Sequence, residues 1–79
     1  MTSPTKDLSY YMTLPYSILL TPDEEGGWYA SIPLLDGCMT DGETEAEALK
    51  MIKDAQHLWL EWALEKGIAI PEPERLEIP

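Results

Sequence analysis

Seventy-nine residues with fifteen acidic side chains against five basic ones give a net charge of −10, which repels phosphate backbones and argues against direct nucleic-acid binding; the acids either suit a basic protein partner or only confer solubility, the reading that charge alone favours. One cysteine, Cys38, excludes an intramolecular disulfide, and the single His57 has no Cys or His neighbour at metal-ligand spacing. A domain this small buries only about 60% of the surface its unfolded chain exposes, so self-association is expected to supplement the core.

In chain order, residues 1–9 are polar, contain Pro4 and show no periodicity, so a loose leader is expected before a single domain over residues 10–79. They hold no apolar run of signal-peptide length, and no later stretch approaches a membrane span, which predicts a cytoplasmic protein. From 12 to 20 the even positions Met12, Leu14, Tyr16, Ile18 and Leu20 are apolar, while the odd ones include Thr13, Pro15 and Ser17. That alternation predicts a half-buried strand, with Pro15, which has no N–H, at an end, bulge or free edge. A turn over 21–27 leads to a second strand in which Trp28, Ala30 and Ile32 alternate with Tyr29 and Ser31 until Pro33. A second turn over 34–37 precedes a short third strand over 38–40, broken by Asp41 and Gly42.

Thr44 is placed to cap a helix expected over 45–66, its hydroxyl accepting from the N–H three residues on while Glu47 reaches back to the N–H of Thr44. Glu45 and Glu47 also put negative charge where the helix dipole is positive. Gly67 is placed to end the helix, and Pro71 and Pro73 forbid its resumption. At about 100° per residue Ala48, Ile52, Ala55, Trp59 and Trp62 share one stripe, with Met51 and Leu58 on one side and Leu49, Leu60 and Ala63 on the other. The second flank either needs a further surface, such as another subunit or the C-terminal tail, or is left exposed as a few leucines of a small domain often are. Opposite lie Glu47, Asp54, Glu61 and Glu65. Glu61 and Glu65 are like charges near a helix C-terminus, unfavourable by about 0.2–1 kcal/mol, so local stability does not explain them. The row is either a solvated face or a surface meant for cations. Residues 75–78 alternate polar with apolar and would add a short fourth strand parallel to the first. The expected class is therefore α+β: a three-stranded antiparallel meander, one long helix and a fourth strand.

Four segments in order, Gly26-Gly27-Trp28-Tyr29-Ala30-Ser31-Ile32-Pro33, Leu35-Asp36-Gly37-Cys38, Asp41-Gly42-Glu43-Thr44-Glu45-Ala46-Glu47-Ala48-Leu49 and Ile70-Pro71-Glu72-Pro73, resemble the N-terminal domain of HicB-type antitoxins over roughly residues 10–75. The resemblance implies a β-β-β-α-β arrangement of partial RNase H-like type, with oligomerisation common. It also implies a partner, a small basic RNase toxin of the HicA type that the antitoxin binds and inhibits. Members of the family usually carry a C-terminal DNA-binding module, ribbon-helix-helix or helix-turn-helix, that represses their own operon; no such module is expected within these 79 residues, and operator control is left open.

Asp36, Asp41 and Glu43 in an RNase H-like frame invite comparison with a two-metal nuclease, since paired carboxylates can hold Mg²⁺ against a phosphate. They stand in turns and at a helix start, where Asp and Glu serve the backbone, with no basic residue beside them to hold substrate. No enzyme and no cofactor is expected. His57 reads as a surface side chain, and Cys38 as a buried thiol with no basic neighbour to activate it. Tyr29, with Tyr11 and Leu19, is expected on the outer face of the sheet if the helix covers the other, either as a protein contact or as the ordinary half-exposed dressing of a sheet. The sequence thus points to a toxin-neutralising module that docks its acidic surface, Glu47, Asp54, Glu61 and Glu65, on a cationic RNA-binding face. The alternative is a stand-alone homo-oligomeric domain of the same fold with another binding or scaffolding role.

Overall fold

A computed structural model describes residues 6–73. In chain order they form a short helix α1 (Leu8–Met12), strands β1 (Leu19–Pro22), β2 (Trp28–Ser31) and β3 (Met39–Gly42), and a long helix α2 (Glu45–Lys66). The strands make one antiparallel sheet in the order β1-β2-β3, with Leu20 opposite Ala30 and Ala30 opposite Thr40. Helix α2 lies across one face, packed chiefly on β3 and β2, and α1 packs on α2 beyond the sheet. The class is α+β, a meander followed by one long helix, as expected. The fourth strand expected over 75–78 lies outside the described residues. Among those described, no helix is long and apolar enough to cross a membrane.

The first strand is shorter than its alternation suggests, and a helix precedes it. Asp7 caps α1 by accepting from the Tyr10 N–H at 3.0 Å, and the Thr13 hydroxyl closes the turn on the Tyr10 carbonyl at 2.7 Å. The helix therefore starts inside the stretch expected to be a loose leader, and it buries Tyr11, which was expected on the outer sheet face. From 13 to 18 the chain runs without strand pairing, yet Leu14 and Tyr16 are buried while Thr13, Pro15 and Ser17 are exposed. The alternation reported burial correctly. Pairing does not follow from it, because Pro15 offers no donor and Tyr16 spends its N–H on the Leu14 carbonyl at 2.9 Å.

Helix α2 begins and ends where its caps place it. The Thr44 hydroxyl accepts from the Glu47 N–H at 3.1 Å, and Gly67, at φ 70°, takes the left-handed conformation that a side chain would disfavour while its N–H returns to the last turn. The reciprocal arm of the cap differs by one residue: the Glu47 carboxylate accepts from the N–H of Glu43, not Thr44, at 3.2 Å. The buried stripe is Ala48, Ile52, Gln56, Leu60 and Ala63. It is rotated by about 60° from the stripe expected around Trp59 and Trp62, toward the Leu60 and Ala63 flank.

The cause lies at Gly42. A Cβ built there would stand 2.5 Å from the Ala48 nitrogen and 2.9 Å from its Cα, so β3 and the first turn of α2 touch backbone to backbone. Ala48 must face the sheet, and every later position on the helix inherits that phase. Gly42→Ala should accordingly cost ~1–3 kcal/mol by forcing the two elements apart, read as a lowered thermal midpoint. Leu60→Ala should cost about 2–5 kcal/mol and Leu58→Ala no more than ~0.5 kcal/mol; equal losses in denaturant titration would show the helix phase to be otherwise.

Candidate functional site

Glu47, Asp54, Glu61 and Glu65 are all exposed and lie along the side of α2 opposite its buried stripe. The four carboxylates are not equivalent. Glu47 is engaged in the cap at Glu43, and Glu61 lies 3.4 Å from His57 Nδ1 one turn back, both side chains in solvent. The carboxylates of Asp54 and Glu65 make no hydrogen bond or ion pair with any described residue. Lys50, Lys53 and His57 border the row on one side. On the other side stand Met51, Leu58 and Trp62, all exposed; of these Trp62 was expected in the stripe covered by the sheet and is not. Trp59 is half-buried, and its indole N–H donates to the Asp36 carbonyl at 2.8 Å, tying the 34–37 turn to the helix.

Tyr29 is on the sheet face away from α2, as its alternation with the buried Ala30 requires, and is 51% exposed. It lines a shallow groove of about 400 Å³ with Met39 and Asp41, and Leu19 is exposed on the same face. The structure does not bring Tyr29 together with the acidic row. Asp36 sits in a turn, Asp41 on the outer face of β3 and Glu43 just before the cap of α2. Among the described residues no group of three or more His, Cys, Asp or Glu side chains is placed to hold a metal ion. Burial pushes the Cys38 thiol up, which makes it a poorer nucleophile.

Sequence reasoning missed one polar cluster. Lys6 Nζ and the Tyr10 hydroxyl converge on Glu72, at 3.1 and 2.8 Å, and the Tyr16 hydroxyl donates to the Pro71 carbonyl at 2.6 Å. Lys6 and Tyr10 both hold their protons more firmly than usual, chiefly through the hydrogen bond to Glu72. Tyr16 is pushed up to about 12, first by burial and then by the Glu72 charge. The cluster ties the chain beyond α2 to α1. Its signal was the tyrosine repeat Tyr10, Tyr11 and Tyr16 beside an acidic residue that is distant in sequence, which periodicity does not report.

The family model described as HicB-like antitoxin of bacterial toxin-antitoxin system matches residues 16–78. The chain is similar to a UPF0150 protein of Thermoplasma acidophilum, 35% identical over 65 residues that make up 82% of this chain and 94% of that protein. It is 41% identical over 59 residues to a UPF0150 protein of Synechocystis, covering 75% and 81% of the two. Similarity to the antitoxin HicB of Escherichia coli is 38% over 61 residues, 77% of this chain but only 44% of that antitoxin.

Among the described residues Tyr16 is the group whose titration the fold shifts furthest. Its proton is held above the ordinary value of 10.0, so the associated stability is complete below pH 10 and declines as pH rises through about 12. Thermal melts from pH 9 to 12 should show that decline in the parent chain. Tyr16→Phe should melt lower at pH 8, having lost the hydrogen bond to Pro71, and should fall less steeply above pH 10.

Proposed function

Because the chain belongs to the HicB-like antitoxin family of bacterial toxin-antitoxin systems, we propose that it is a protein-binding module that neutralises a small basic RNase toxin of the HicA type by covering the toxin's RNA-binding surface. Antitoxins are a non-enzymatic kind of protein, and nothing catalytic is asked of the chain in this reading. The observation that carries it is the exposed row Glu47, Asp54, Glu61 and Glu65 on a chain of net charge −10. A surface that binds RNA must itself be cationic, so the row competes for it with charge of the same sign as the phosphates. Long-range attraction raises the encounter rate, and bulk then keeps RNA out. The meeting takes place in the cytoplasm, and the chain does not touch the nucleic acid. We extend the reading to the frame, a partial RNase H-like fold.

The exposed outer face of the sheet, with Leu19, Tyr29 and Met39, favours a second reading, a homo-oligomer of this fold with a scaffolding role. In it Tyr29 makes the contact between copies and the acidic row only keeps the assembly soluble.

Two measurements separate these. Co-expression with a small basic RNase toxin of the HicA type, taken from the adjacent reading frame where one is encoded there, should restore growth under the first reading; unrelieved toxicity with the pair failing to co-purify refutes it. Converting Glu47, Asp54, Glu61 and Glu65 to Gln should slow association about tenfold or more at low ionic strength, with the difference closing as salt is added. Glutamine at 47 can still serve the cap, so stability is little disturbed. An association rate that ignores the four substitutions removes the row from the mechanism.

A further inference from the structure

Four apolar positions of α2, Met51, Ala55, Leu58 and Trp62, follow one another at steps of four, three and four, the interval that makes a continuous seam along a helix. The fold leaves most of it bare. Met51 is 42%, Leu58 66% and Trp62 47% exposed, while the adjoining stripe that includes Ile52 and Leu60 is fully buried. Its C-terminal anchor is also held in place. The Trp62 ring stands edge-on to Trp59, centroids 6.1 Å apart with planes at 66°, and Trp59 is fixed by its hydrogen bond to Asp36. A bulky ring already positioned loses little freedom when a partner arrives.

One border of the seam is the acidic row. At about 100° per residue Leu58 lies only ~40° around the helix from Asp54, and Glu61 follows one turn on. An occupant must therefore offer apolar side chains in a line with cations along one edge of it.

We propose that this seam is the docking face of the chain and that its occupant is a cationic amphipathic helix of the toxin, its apolar side chains lying along Met51, Leu58 and Trp62 and its Lys or Arg side chains reaching Asp54 and Glu61. The inference rests on the function proposed above and adds the contact face and the chemistry of the contacting segment. Charge complementarity selects this occupant over a second copy of the chain. A copy brings the same net charge of −10, and an antiparallel pair of α2 helices would set acidic row against acidic row, where like charges are penalised.

The first test needs no toxin. A synthetic peptide of about five helical turns, with leucines on one face and lysines on the other, is titrated against the whole chain and followed by tryptophan fluorescence. Saturable binding is expected, stronger than for a scrambled peptide of the same composition. Leu58→Asp should weaken it about tenfold or more, and Asp54→Gln with Glu61→Gln should weaken it in a way that salt abolishes. Met51→Ser serves as a second seam variant should Leu58→Asp not fold. Binding undiminished by the seam variants, or diminished as much by Met39→Ser on the outer sheet face, overturns the proposal. So does sedimentation showing that Leu58→Asp turns an oligomer into a monomer while peptide binding is unchanged, since a second copy then owns the seam. Growth rescue from a co-expressed HicA-type toxin keeps the two readings apart. Rescue by the parent but not by Leu58→Asp supports both; rescue by both proteins refutes the seam and spares the antitoxin. Rescue by neither, with seam-dependent peptide binding intact, refutes the antitoxin role and leaves the docking face standing for another cationic helix.

Discussion

The arrangement depends on one close approach, where the backbone of β3 at Gly42 meets the first turn of α2 at Ala48. No side chain fits there, since a Cβ on Gly42 would sit 2.5 Å from the Ala48 nitrogen, and Ala48 is itself wholly buried. The constraint is local but its effect runs the length of the helix. With Ala48 held against the sheet, the i, i+4 succession commits Ile52, Gln56 and Leu60 to the same face. The carboxylates at 47, 54, 61 and 65 are thereby turned to solvent, and Met51, Leu58 and Trp62 are left at the rim. The contact between glycine and alanine therefore decides what the helix presents to a partner.

The termini of α2 were legible because they are written in short-range chemistry. A threonine whose oxygen meets the N–H three residues later, and a glycine free to adopt positive φ, need no tertiary information. The rotation of the helix was not legible. Hydrophobicity weighs Trp59 and Trp62 heavily and passes over Gln56 and Ala63, while the fold selects small side chains where backbones come close and lets large rings lie at the edge. The acidic row stays in solvent despite this error because the rotation carries the buried stripe further from it, from about 115° around the helix to about 180°. Between 12 and 20 the alternation of Leu14, Pro15, Tyr16 and Ser17 reported which side chains are buried, but period two describes any extended chain lying on a core and cannot tell a paired strand from an unpaired one. Helix α1, five residues long, is too short for periodicity to register, and its one local sign was the cap at Asp7.

Electrostatics separates the two ends of α2. Glu45 and Glu47 stand in the first turn, where the dipole welcomes them, and Glu47 satisfies a backbone donor besides. Toward the other end Glu61 and Glu65 oppose both the dipole and each other, and Lys66 is the basic residue of the last turn. Each misplaced charge costs a few tenths of a kcal/mol, a small sum against a core that buries Ile32, Leu35, Ile52 and Leu60 completely. Such a cost is tolerable where a helix is held by packing and not by its own propensity. The row is thus a feature the fold permits without needing.

What the fold permits, association can use, because the two energies differ in range. A carboxylate in water gains little from one exposed cation, but several in line act together on an approaching charge over about a Debye length of 8–10 Å. Attraction of that kind orients a partner without holding it; residence needs apolar surface withdrawn from water. Here the two kinds of surface adjoin, the carboxylates of Asp54 and Glu61 beside the bare faces of Leu58 and Trp62. In the proposed association a partner drawn in by the first would be delivered to the second with no rearrangement of the helix. Had the phase followed hydrophobicity alone, Trp62 would lie beneath the sheet and the same charges would border nothing that could hold what they attract.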